Sequence, residues 1–137
     1  MENKYKILKH PADLKIKVWA KDLKKLFSLA LFALFKTINA KTEGNFVFRK
    51  IKVKSNDLPS LFVDFLNETL CLSQIKKEVF FDLKIKKASF EKDFFIEGLL
   101  KGKKIKSVDL DIKAVTYHQL KIEKKKGKWV AVFLCDV

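Results

Sequence analysis

The stretch Asp22-Leu23-Lys24-Lys25-Leu26-Phe27-Ser28-Leu29-Ala30-Leu31-Phe32-Ala33-Leu34-Phe35-Lys36-Thr37-Ile38-Asn39 decides the fold class. Its apolar residues Leu23, Leu26, Phe27, Ala30, Leu31, Leu34, Phe35 and Ile38 recur at i, i+3, i+4 and i+7, which places them on one face of an α-helix. Asp22 suits the N-cap, and Lys36, Asn39 and Lys41 complement the dipole at the other end and help to stop the helix. So apolar a stripe has to cover a sheet. The preceding chain supplies strands: Tyr5 to Leu8 and Leu14 to Val18 alternate apolar and basic side chains, the period of a half-buried strand. His10-Pro11-Ala12-Asp13 interrupts them. Pro11 removes a ladder donor and restrains His10 to an extended conformation, so the two strands are joined or bent here.

Beyond the helix, residues 46–54 read as a strand whose apolar phase shifts between Phe46/Phe48 and Ile51/Val53, as a bulge or strong bend requires. A second helix follows, with Asp57-Leu58-Pro59 as cap and early-turn proline and with Leu58, Leu61, Phe62, Phe65, Leu66 and Thr69 as its buried stripe. Asp64, Asn67 and Glu68 share another face and form an acidic and polar patch. Strands are expected at roughly 79–87, 93–101, 112–124 and 128–135, the last two joined as a hairpin through Lys125-Lys126-Gly127-Lys128. Trp129 to Cys135 shows no polar alternation and belongs in the middle of a sheet. The expected architecture is α+β: a two-layer sandwich in one domain, residues 1–137, with two amphipathic helices packed on a mixed, mainly antiparallel sheet of about six or seven strands.

Composition narrows the class. A chain of 137 residues fits one domain, and 48% hydrophobic residues with 13 Phe, 4 Gly and 2 Pro exclude a disordered or linker-rich protein. The longest apolar stretch, Leu26 to Phe35, contains Ser28 and is far shorter than the roughly 20 residues of a membrane span; no signal-peptide pattern precedes it, so a cytoplasmic location is expected. Cys71 and Cys135 have no partner at metal-ligand spacing and read as buried free thiols. The net charge of +14 favours acidic partners. The cations are lysines spread along the chain with Arg49 as the one arginine, which weakens a reading of specific nucleic-acid recognition.

No glycine-rich phosphate loop, nucleophile elbow or H-E-x-x-H motif is present, and an independent hydrolase or transferase is not expected. The polar residues a strand pattern does not need are His10, Asp13, His118 and Asp136-Val137. Asp13 either caps the turn through its own backbone or contributes to a site. His118 shares the even-numbered face of Ile112, Ala114, Thr116, Leu120 and Ile122 and reads first as a hydrogen-bonded core histidine, with acid–base or ligand work as the alternative. Asp64, Asn67 and Glu68 are a solvated helix face or a docking surface. Asp136 ends an apolar strand one residue before the carboxylate of Val137, a concentration of negative charge that a cation or basic side chain would compensate. Were the strand starting at Asp13 to lie beside the C-terminal strand, Asp13, Asp136 and Val137 would form an oxygen cluster suited to Ca²⁺ or Mg²⁺.

The chain resembles the archease family. The resemblance rests on His10-Pro11-Ala12-Asp13-Leu14-Lys15-Ile16, on Val63-Asp64-Phe65-Leu66-Asn67-Glu68, on Ile112-Lys113-Ala114-Val115-Thr116-Tyr117-His118, and on the ending Trp129 to Val137. Pro11 departs from the family's usual Thr, and Gly102 to Val108 lacks its acidic and histidine residues. The resemblance implies an accessory protein, not an enzyme, that activates the GTP-dependent tRNA-splicing RNA ligase. Such a protein promotes guanylylation and multiple turnover of the ligase, broadens its nucleotide use to ATP, and meets RNA through the ligase. It also implies a divalent metal site, Ca²⁺ or alternatively Mg²⁺ or Mn²⁺, at Asp13, Asp136 and Val137. The competing class is a basic RNA-binding module or chaperone. That class predicts salt-sensitive RNA binding, and it ranks second because the phenylalanines follow core periodicity.

Overall fold

The computed structural model describes residues 4–9 and 13–137. The break at His10, Pro11 and Ala12 lies outside the described residues. On either side of it β1 (Tyr5–Lys9) pairs antiparallel with β2 (Asp13–Ala20), from Tyr5 opposite Val18 to Lys9 opposite Leu14.

Helix α1 (Leu23–Ile38) forms where the spacing places it. The Asp22 carboxylate accepts the Lys25 N–H at 2.8 Å, and Asn39 ends the helix in the left-handed region with its N–H donated to the Lys36 carbonyl. Helix α2 (Leu58–Lys76) starts in the same way: the Asp57 carboxylate accepts the Ser60 N–H at 2.8 Å, with Pro59 in the first turn. It runs past the stripe that ends at Thr69 and adds Leu70 and Ser73 to the buried face.

The other strands are β3 (Lys41–Ser55), β4 (Glu78–Ser89), β5 (Phe94–Ser107), β6 (Ala114–Lys125) and β7 (Lys128–Asp136). The α+β class is as expected, with two helices and seven strands among the described residues, and every pairing among them is antiparallel. The strands are shared between two sheets, of order β1-β2-β7-β6 and β3-β5-β4. Each helix packs on both sheets: α1 on β2 and β4, α2 on β3 and β6. Phe62 of α2 joins the layers, its ring edge-to-face with Phe27 of α1 and with Phe133 of β7, each at 5.3 Å between centroids. In the second sheet β5 and β4 approach so closely at Gly102 that any Cβ there would collide with the Val79 carbonyl.

Strand β3 corrects one expectation. Its ladder with β5 is regular from Val47 to Ser55, and the irregularities lie earlier, between Lys41 and Thr42 and between Glu43 and Val47, where Gly44 takes φ +80. The apparent phase shift has another origin. Ile51 and Val53 face the core, whereas Phe46 and Phe48 point to solvent and are 52% and 54% exposed. Cys71 is also exposed rather than buried, while Cys135 is buried.

Arg49 grips the buried Glu78 with two parallel hydrogen bonds of 2.8 and 2.7 Å. The Arg49 hydrogen bonds hold the Glu78 carboxyl below its ordinary value against the opposing effect of burial, helped by the charges of Arg49, Lys76 and Lys104. A carboxylate whose pKa is lowered by folding stabilises the protein above its unfolded pKa, and that contribution is lost as the pH falls through the folded value. Melting temperature is therefore expected to drop on acidification below the ordinary glutamate range. In Glu78→Gln it should start several degrees lower at neutral pH and lose this part of the acid dependence, as thermal melts across pH would record.

Candidate functional site

Strand β7 lies between β2 and β6, and its last residue sets the site. Asp136 stands directly opposite Asp13 on one side and opposite Ala114 on the other. Directly opposed residues of an antiparallel pair have Cα atoms about 4.5–5.5 Å apart and side chains on the same face, so the two carboxylates share one spot at the end of the sheet. The adjacency that sequence left conditional is present. Asp13 is half-buried, with Oδ1 shielded from solvent, and Asp136 is exposed. The backbone of Asp136 is fixed independently of its side chain, since its carbonyl accepts the Lys113 N–H at 2.8 Å.

The buried Cys135 reports the field of this pair. Burial pushes its thiol up to about 12, and the negative charges of Asp136 and Asp13 push the same way. The thiol is therefore protonated and unreactive at neutral pH. Among the described residues no group of three or more His, Cys, Asp or Glu converges to hold a metal ion. The two aspartates are hard oxygen donors and fit part of the coordination of a Ca²⁺-like ion, which takes six to eight oxygens, some from backbone carbonyls and water. Val137, the third residue of the expected set, follows directly and is 37% exposed.

The other candidates fall elsewhere. His10 lies outside the described residues. His118 is exposed and is not a core histidine. Between Thr116 opposite Leu134 and Lys121 opposite Val132, β6 carries the four residues 117–120 against Phe133 alone, and Gln119 takes φ 56. This bulge destroys the period-2 phase on which His118 was aligned with Ile112, and Val115 rather than its even-numbered neighbours is the fully buried residue at the strand's start.

The polar face of α2 is also not simply solvated. The Asn67 side chain donates to the Val115 carbonyl at 2.9 Å and accepts the Val115 N–H at 2.7 Å, acting as one more strand residue along the free edge of β6. Gln74 donates to the Ile112 carbonyl at 3.2 Å. Asp64 accepts from Ser55 at 2.6 Å and from the Tyr117 hydroxyl at 3.3 Å. Sequence reasoning missed this clamp, which ties the second-helix motif to the 112–118 motif and so holds Ala114 beside Asp136. The signal available was the polar pair Asp64 and Asn67 flanking the buried stripe.

No helix among the described residues is long and apolar enough to cross a membrane. The profile of the Archease protein family matches residues 5–137. Protein archease of Methanosarcina mazei is 33% identical over 141 residues, covering 98% of this chain and 96% of the relative. That of Pyrococcus abyssi is 32% identical over 134 residues, covering 93% and 94%. Among solved structures, the solution structure of Methanobacterium thermoautotrophicum protein 1598 shares the fold with TM-score 0.79 at 23% identity, covering 99% of this chain and 100% of the other. The crystal structure described as an archease, possible chaperone, from Thermotoga maritima shares it with TM-score 0.70 at 20% identity, over 96% of each chain. Matched along nearly its whole length by the family profile and by relatives of the same name, the chain belongs to the archease family.

Proposed function

We propose that this protein is an accessory activator of the GTP-dependent tRNA-splicing RNA ligase, promoting its guanylylation and multiple turnover and altering its nucleotide specificity, and that it works through the tip formed by Asp13, Asp136 and Val137. One observation carries the reading: Asp13 and Asp136 stand in register at one end of a sheet, on a protein whose net charge is +14. Like charges placed directly opposite cost stability, and a cation bound at this spot would offset that cost. Asp13, Asp136 and Val137 would hold a divalent ion, Ca²⁺ or alternatively Mg²⁺ or Mn²⁺, which when bound supplies positive charge for phosphate oxygens. In the absence of an ion, the same carboxylates would take a lysine or arginine of the partner.

The protein's own contribution is positioning. The backbone bond from Lys113 and the clamp of Asn67 on Val115 fix the strand ends, so the tip reaches the ligase with little conformational entropy left to lose. Activation further requires that the tip bind the guanylylation-competent state of the ligase more tightly than its other states. The test is multiple-turnover joining of a 3′-phosphate RNA to a 5′-hydroxyl RNA by the cognate ligase with GTP and Mn²⁺. A substoichiometric amount of this protein is expected to raise the steady-state rate. An unchanged rate under those conditions overturns the proposal.

A further inference from the structure

The three-stranded sheet is not the one that carries the acidic tip, and its outer face has a different chemistry. Every second residue of β3 from Phe46 to Lys54 is exposed, giving the row Phe46, Phe48, Lys50, Lys52 and Lys54. Across the ladder Phe48 meets Lys101 and Lys50 meets Leu99, and Leu99 in turn meets Lys84 of β4. Same-face residues along a strand are about 7 Å apart, a spacing comparable with that of successive phosphates in an extended single strand.

Two features distinguish this face from a surface that is merely lysine-rich. Phe46 and Phe48 are each more than half exposed, and Phe46 carries two cations over its ring, Lys101 Nζ at 4.3 Å and Lys103 Nζ at 5.2 Å from the centroid. Further along the same row, from Lys50 onward, an open groove of about 580 Å³ is lined by Lys50, Lys52, Lys84, Lys86, Glu97 and Leu99. Glu97 is its only carboxylate, and among the described residues none of these lysines is ion-paired. Phenyl rings interleaved with unpaired cations on an open sheet match a strand that offers phosphates and aromatic bases together, whereas an acidic peptide would use the lysines and leave the rings in water.

We infer that the outer face of the β3-β5-β4 sheet binds single-stranded RNA, with bases stacked on Phe46 and Phe48 and phosphates held by the lysines of the adjoining groove. This surface is independent of the ligase reading and places RNA on the protein directly. Binding would be tolerant of sequence, because stacking and phosphate contacts carry little base information.

Anisotropy of a labelled, short, unstructured RNA titrated with the full-length protein tests it. The wild type should bind with an affinity that falls steeply with salt. Phe46→Ala/Phe48→Ala, which leaves the charge untouched, should lose about ten-fold or more. Lys50→Glu/Lys84→Glu should lose at least as much and flatten the salt dependence, while Lys6→Glu/Lys17→Glu, on the outer face of the other sheet, should retain most of the affinity. Unchanged binding in the double phenylalanine variant overturns the inference. So does an equal loss from either pair of charge reversals, which would assign binding to the overall field of the protein, and so does displacement of RNA by polyglutamate at equal charge, which would make the occupant an acidic protein segment.

Discussion

Asp136→Ala is expected to reduce stimulation of the ligase by about ten-fold or more, the order of loss seen when groups around a metal site are removed, while leaving the protein as stable as before or slightly more so. The two effects have opposite signs for one reason. The side chain is exposed and makes no contact the fold needs, because the bond that fixes this residue runs from Lys113 to its backbone carbonyl. Removing it relieves the repulsion with Asp13 directly across the ladder, a change within about 0.5 kcal/mol for an exposed position. Thermal melts read the site without the ligase. The wild type should melt higher with Ca²⁺ than with chelator, because a cation that binds only the folded state stabilises it by mass action. In Asp136→Ala that gap should close. A variant that keeps both the calcium gap and full stimulation would move the working site away from this tip.

Phe62→Ala should be the most damaging single truncation in the core. Phe62 is fully buried and its ring is shared between Phe27 and Phe133, so its loss opens a cavity where a helix–helix contact meets a helix–sheet contact. Such truncations cost about 3–5 kcal/mol. At a few degrees per kcal/mol for a domain of this size, the melting temperature should fall by roughly 10–20 °C. Phe62→Leu, which retains most of the volume, should cost less than half of that. A fall below about 5 °C in Phe62→Ala would mean that the layers close over the gap instead of leaving it.

The two helices were legible in the sequence because helical periodicity, capping residue and stop signal all lie within the same short window, at Asp22 to Asn39 and again from Asp57 onward. Strand phase was less so. Phe46 and Phe48 imitate a core face while pointing to solvent, and residues 117–120 put His118 out of register with Ile112 because a bulge leaves no trace in an apolar count. The pairing that makes the site is between residues 123 positions apart, Asp13 and Asp136, and no local pattern encodes it. Hydrogen bonds such as that between Asn67 and Val115 are hidden for the same reason, since they depend on where a helix face meets a distant strand.

The central position of β7 bears on how the chain acquires its structure. The strand that β2 and β6 both need follows all the other described elements in chain order, so the four-stranded sheet cannot close until everything before it has been synthesised. Until then Phe62, buried in the finished protein, lacks the Phe133 ring that helps to cover it. Pairing across so many residues is slow, and an apolar layer left open meanwhile is prone to aggregate. The nascent chain is therefore expected to need the ribosome or a chaperone holdase for longer than a helical protein of equal length, and truncation within β7 should yield insoluble chain rather than a smaller folded domain.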